Sequence, residues 1–156
     1  MPKAAHHRTH KSLTQVALSC GLTQVVTIRH GTMFNETVGA PPGDLHNDYA
    51  HQASTDPEAG QIMTNSHAYQ AERFRELIAA LDGIPEGDGT MLDHTVCVWG
   101  NELSTGEHSM QDLPIVIAGG GDYFDLGRYV HWRKGDVLDG PWSDIPMGPA
   151  HNKLLT

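Results

Sequence analysis

Basic residues are scarce: 10 Lys and Arg stand against 19 Asp and Glu, a formal charge of −9 with every histidine neutral. Phosphate neutralisation needs a basic face, and the chain has no Lys/Arg cluster to build one, which argues against a nucleic-acid partner and against anionic membrane surfaces. Long apolar runs are also missing. Stretches such as Ile115-Val116-Ile117-Ala118 fall far short of the roughly 20 residues that a bilayer demands, so no membrane span is expected. The opening Met1-Pro2-Lys3-Ala4-Ala5-His6-His7-Arg8 lacks the apolar stretch of a secretory signal, and it places no export address on the chain as given. The two cysteines, Cys20 and Cys97, allow at most one bridge. Both sit in apolar runs and read as buried thiols. Hydrophobic residues reach 38% and aromatics 6% of 156 residues, which predicts a thin core in a single domain, or part of one, spanning 1–156. Histidine is abundant instead, with 11 residues outnumbering Lys and Arg together.

Leu13, Val16 and Ala17 fall at helical spacing and the run stops at Gly21, which predicts a helix over 9–19. Leu22-Thr23-Gln24-Val25-Val26-Thr27-Ile28-Arg29 is β-branched and bounded by glycines, so it reads as a strand. Between Thr32 and Met63 periodicity disappears, leaving a loop of about 30 residues, a length that compact domains keep only for function or disorder. Ala71, Phe74, Leu77, Ile78 and Leu81 then share one face of a helix over 65–82. Thr95–Trp99 and Leu113–Ala118 read as apolar, buried strands, and a third short strand is expected over Arg128–Trp132. Helix–strand alternation with apolar strands predicts an α/β fold, a helix–strand sandwich with a mixed, mainly parallel sheet.

The richest constellation is Asp44-Leu45-His46-Asn47-Asp48-Tyr49-Ala50-His51, two carboxylates and two imidazoles within eight residues. Neutral imidazole supplies a lone pair and carboxylate offsets cationic charge, a mixture that suits Zn, Mn or Fe as a divalent cofactor. A solvated acidic loop with incidental histidines is the competing reading. A second group follows the predicted strand at 95–99, where Asn101, Glu102 and His108 occupy the segment that forms ligand crevices in α/β proteins. Gly119-Gly120-Gly121 matches no phosphate-binding motif and reads as a turn needing positive φ. His6, His7 and His10 read as exposed, and Trp132 and Trp142 as packing. No GxSxG motif marks a nucleophile, so any chemistry needs metal-activated water or a group from elsewhere.

Several of these segments resemble the C-terminal part of the HXXSHH family, bacterial proteins of unknown function. Leu18-Ser19-Cys20-Gly21-Leu22-Thr23-Gln24-Val25 is similar to that family's ALACDLTRV segment, with Gly21 and Gln24 in place of Asp and Arg. His46 and His51 keep the outer spacing of the namesake motif, with Tyr49 and Ala50 where Ser and His stand in the family. Leu92–Leu103, His108–Gly120, Gly127-Arg128-Tyr129 and His151-Asn152-Lys153-Leu154-Leu155 extend the resemblance over nearly the whole chain. The family is distantly similar to alkaline-phosphatase-like and sulfatase-like metalloenzymes. This implies the C-terminal half of an alkaline-phosphatase-like fold, with Asp44, His46, His51, Asn101, Glu102 and His108 as metal ligands. The nucleophile and further ligands then come from an N-terminal half, and parent proteins look exported.

The functional expectation is a metal-dependent, hydrolase-like domain acting on a small anionic phosphate or sulfate ester. The alternative is a non-catalytic metal- or partner-binding domain lacking the nucleophile. Either metal reading requires the two clusters, more than fifty residues apart, to meet in space.

Overall fold

A computed structural model describes residues 3–30, 35–109, 113–121 and 123–130 and the short pairs 136–137 and 146–147. The chain orders itself as helix α1 (Lys3–Ser19), a 3-10 turn (Asn35–Val38), the single-turn helix α2 (Leu45–Asp48), a second 3-10 turn (Ala50–Gln52) and the long helix α3 (Pro57–Asp82). Six short strands follow: β1 (Pro85–Glu86), β2 (Gly89–Thr90), β3 (Val96–Gly100), β4 (Ile115–Gly119), β5 (Asp136–Val137) and β6 (Pro146–Met147).

Helix α3 starts eight residues before the predicted helix because Asp56 and Pro57 form its N-terminus. Asp56 keeps extended backbone and its carboxylate accepts the Glu58 N–H at 2.9 Å, while Pro57 occupies a position where its missing N–H costs nothing. The helix ends at Gly83 after 26 residues, a rod of about 39 Å at 1.5 Å per residue. One rod of that length serves two separate cores. Its first half packs Ile62, Met63 and Tyr69 against Val38, Ala40, Leu45 and Tyr49. Its second half packs Phe74, Leu77 and Leu81 against Leu18, Ile84, Met91, Leu92, Cys97 and Ala118.

Strands β3 and β4 form the largest ladder, antiparallel, with Val96 opposite Gly119, Val98 opposite Ile117 and Gly100 opposite Ile115. The other two ladders, β1–β2 and β5–β6, are also antiparallel. The fold is therefore mixed helix and strand as expected, but the mainly parallel sheet and the helix–strand sandwich are corrected: every ladder among the described residues is a two-stranded antiparallel pair. The expected burial of β3 is corrected with it. Only one face is covered, so Cys97 is buried while Val96 and Val98 are 43% and 61% exposed.

The strand expected over Leu22–Arg29 does not form. Its backbone finds no ladder partner among the described residues, and the Thr23 hydroxyl binds both the Val25 N–H and the Val25 carbonyl locally, a side-chain alternative to sheet pairing. Cys20 is exposed, one residue past the end of α1, which corrects the expectation of two buried thiols. Cys97 is buried, and burial pushes its thiol above the ordinary range, away from the reactive thiolate. The Gly119-Gly120 turn adopts positive φ at both residues, as expected. Arg128–Val130 is not strand; Trp132, Trp142, the tail segment His151–Leu155 and the side chains of His6 and His7 lie outside the described residues, whereas His10 is exposed. No helix among the described residues is long and apolar enough to cross a membrane.

The two cores make unequal demands on single side chains. Leu81 is 1% exposed at the centre of the second core, and Leu81→Ala is expected to cost about 2–5 kcal/mol in urea unfolding. Val98→Thr, on the open sheet face, is expected to stay within about 0.5 kcal/mol in the same measurement.

Candidate metal centre

The first half of the site is built by helix capping. Asp44 holds extended backbone ahead of α2; its Oδ1 accepts the His46 N–H at 2.9 Å and its Oδ2 accepts from Asn47 Nδ2 at 2.5 Å. Asp48 reciprocates from the far end of the turn, its carboxylate accepting the Asp44 N–H at 2.8 Å. This reciprocal arrangement follows the logic of a capping box, in which two orphan backbone donors are satisfied at once. Leu45 plugs into the first core and Tyr49 packs beside it, which pins the turn to α3 and leaves His46 on the exposed side. The 3-10 turn that follows then presents His51 five residues later.

The second half comes from the loop after β3. The Ser104 N–H donates to the Ser109 carbonyl at 2.8 Å and the His108 N–H to the Thr105 carbonyl at 3.1 Å, closing a compact turn. His108 holds a left-handed φ of 63°, uncommon for a residue with a Cβ and a conformation costing on the order of 1–3 kcal/mol. Three contacts dock this turn on the His51 segment. His51 Nδ1 meets the Gly106 carbonyl at 2.5 Å, the Ser54 hydroxyl donates to Glu107 at 2.7 Å, and Gly106 lies so close to the Ala50 carbonyl that a Cβ there would overlap it.

The result is a triad of imidazoles. His46, His51 and His108 each offer one ring nitrogen, all within 4.8 Å of one another, and all three residues are exposed. Ring centroids lie 4.5 Å apart for His46–His51, 5.1 Å for His51–His108 and 5.6 Å for His46–His108. The two Nε2 atoms of His46 and His51 are 3.1 Å apart. A tetrahedral ion with metal–nitrogen bonds of about 2.0–2.1 Å holds its donors about 3.3–3.4 Å apart, so this pair is already at ligating separation. The carbonyl of Gly106 can only accept, so His51 Nδ1 donates to it and Nε2 is the ring nitrogen that faces His46. A backbone carbonyl on the distal nitrogen is the usual way a ligating imidazole is oriented.

Glu107 adds charge beside the triad. The Ser54 hydroxyl bond, followed by bonds from the Thr105 side chain and its own backbone, holds its carboxyl below the ordinary range, with His51 contributing in the same direction. Of the six ligands expected from the sequence, the fold brings together His46, His51 and His108. Asp44 is committed to the α2 cap, Glu102 lies exposed outside the triad, and Asn101 lines a pocket beside Trp99. Ser54, Gly106 and Glu107 were not singled out in the sequence. The triplet Gly106-Glu107-His108 was visible there, but only the close approach of Ala50 reveals why a glycine precedes the acid.

Positioning of the triad is therefore separable from ligation. Gly106→Ala forces the loop off the Ala50 carbonyl and is expected to weaken zinc binding about 10–100-fold with helix content unchanged, measured by calorimetry and circular dichroism. The backbone N–H of His46, then the Asn47 side chain, hold the Asp44 carboxyl below its ordinary value. A lowered folded pKa makes the cap's contribution fully present above the unfolded carboxylate value, about 3.9, and lost as pH falls through the lower folded one. The His46 amide proton resonance is expected to report this loss below about pH 4 in the wild type, and that acid transition is expected to be absent in Asp44→Asn.

Comparisons of the chain with protein-family models, with curated proteins and with solved structures each found no match.

Proposed function

We propose that the chain is a metal-binding, hydrolase-like domain in which His46, His51 and His108 hold one divalent transition ion and leave part of its coordination sphere open to an anionic ester. The observation that carries this reading is the meeting of His108 with His46 and His51 across more than fifty residues, with three ring nitrogens inside 4.8 Å. Imidazole donors favour zinc or iron over magnesium or calcium. Three protein ligands with a free position are the donor count of catalytic rather than structural zinc sites. Such an ion supplies Lewis acidity toward a phosphate or sulfate oxygen and activates water. The three histidines are neutral donors, so they leave the ion's charge undiminished for an anionic substrate. His51, oriented by the Gly106 carbonyl, would offer Nε2 to such an ion, and Glu107 holds a negative charge nearby. The resemblance to the HXXSHH family, with its distant likeness to alkaline-phosphatase-like enzymes, supports the same chemistry.

The exposure of all three histidines favours a second reading, a domain that binds metal without turnover. Zinc titration separates the two when phenyl phosphate and phenyl sulfate hydrolysis is followed in parallel. Wild type is expected to bind one zinc, and at zinc a hundredfold above Kd to gain about 2.7 kcal/mol of stability, read as a rise in Tm. His46→Ala and His108→Ala are expected to lose that gain with helix content unchanged. Affinity equal to wild type in both variants rejects the triad, and stoichiometric zinc without hydrolysis assigns the non-catalytic reading. Because imidazole ligates only when neutral, affinity is expected to fall as pH drops from about 8 to about 5; a flat profile rejects histidine ligation.

A further inference from the structure

Charge is divided unevenly along the chain. Residues 1–35 carry four Lys and Arg and no acid, whereas residues 36–156 set six Lys and Arg against all 19 Asp and Glu. A basic opening segment is thus joined to an acidic body, and attraction between copies has to run through that segment, since body against body is like charge. Helix α1 uses part of this complementarity within the chain, through Lys11 and Glu76 of α3 at 3.9 Å. The stretch after it, Leu22–Arg29, joins no ladder among the described residues, and Leu22 and Val25 are 75% and 79% exposed. In an extended strand Leu22, Gln24, Val26 and Ile28 share one face, and Thr23, Val25, Thr27 and Arg29 the other, the alternation of a strand with one apolar side.

The β3–β4 ladder has the opposite deficiency, a sheet of two strands with no third among the described residues. Its register is unbroken over five pairs, and neither Val-Cys-Val-Trp-Gly nor Ile-Val-Ile-Ala-Gly contains a charge or a proline. Charges, prolines and bulges are what proteins place on an edge to block pairing, so both edges stand unguarded. Of the two strands β3 is the more open, with Val96 and Val98 exposed. Charge also distinguishes its two ends. Asp93, ahead of β3, already accepts the Thr90 N–H at 2.7 Å and the Thr90 hydroxyl at 2.9 Å, whereas Glu102, just past it, is exposed. A strand laid parallel to β3 brings Arg29 to the Glu102 end.

We propose that Leu22–Arg29 of a second copy of this chain adds to the outer edge of β3, parallel to it, and that the exchange is mutual, with Arg29 of each copy beside Glu102 of the other. Within one chain the exit from α1 is fixed by Gly21, at a left-handed φ of 65°, and by the Leu22 N–H on the Ala17 carbonyl at 2.9 Å. From that exit the segment pairs with no strand of its own chain, although Leu18 packs in the same core as Cys97 and Ala118. Strand addition supplies the missing backbone hydrogen bonds, and alternate side chains continue the apolar face of the sheet. A mutual exchange presents the same two surfaces from each copy and closes as a two-fold dimer. The inference is independent of the metal reading.

Sedimentation velocity over a hundredfold range of protein concentration tests it, with EDTA present so that metal bridging between exposed histidines contributes nothing. Wild type is expected to pass from monomer to dimer, with amide hydrogen exchange over residues 25–28 slowing in the dimer. Arg29→Glu and Glu102→Arg are each expected to weaken self-association about tenfold, because like charges then face each other at both ends of the exchange. Mixed in equal amounts, the two variants are expected to associate as tightly as wild type, since each contact again joins opposite charges. Thr27→Pro removes a backbone donor from an exposed segment outside any helix or ladder, and is expected to abolish association with helix content unchanged. Wild type that stays monomeric throughout, a dimer that survives Thr27→Pro, or charge variants that associate no better mixed than apart overturns the proposal.

Discussion

The length of helix α3 is the constraint on which the rest of the structure depends. The chain has 38% hydrophobic residues and, among the described residues, no single large core. It builds two small ones strung along a single 26-residue helix, with Ile62 anchoring one and Leu81 the other. The first core holds the α2 turn in place and so positions His46 and His51. The second holds β3 through Cys97, and β3 launches the loop that carries His108. A rigid rod between the two cores fixes the distance over which those groups must meet, and that is how a protein with modest apolar content positions a site made of exposed side chains.

Exposure alone would leave three histidines mobile and solvated, each losing rotamer freedom on ordering. The fold offsets this through backbone contacts around the triad. Asp44 and Asp48 together satisfy the backbone N–H groups at the N-terminus of the α2 turn, Gly106 brings the later loop against Ala50, and the Gly106 carbonyl accepts from His51 Nδ1. The strained φ of His108 belongs to the same arrangement, since the turn that imposes it is closed by hydrogen bonds on either side. Asp44 and Asp48, the carboxylates of the first cluster, thus accept from backbone amides, and the side chains that converge are imidazoles.

Two expectations failed for one physical reason. Leu22–Arg29 has the composition of a strand, and β3 has the composition of a strand buried on both faces, yet the first joins no ladder among the described residues and the second has one open face. Strand propensity describes a fit to a pleated, covered surface, and that surface belongs to neighbours elsewhere in the chain. The early start of α3 was missed differently: Asp56-Pro57 is a readable helix start, but it lay inside a stretch whose Gly, Pro and Asn content suggested continuous loop.

The sequence by itself determined what is local. Helix α1 ending before Gly21, the amphipathic face of α3, the apolar segments that became β3 and β4, and the glycine turn after β4 all follow from spacing and from residues whose preferences act over a few positions. The histidine excess and the two candidate clusters were legible for the same reason. Tertiary structure alone decided which members of those clusters meet. Convergence of His108 on His46 and His51 depends on the geometry of α3 and on a close approach at Gly106, contacts between residues far apart in the chain. The diversion of Asp44 into a cap depends instead on backbone dihedrals that its residue type permits but does not impose. The antiparallel direction of the sheet was likewise decided by how the chain returns from β3 to β4, which composition does not encode.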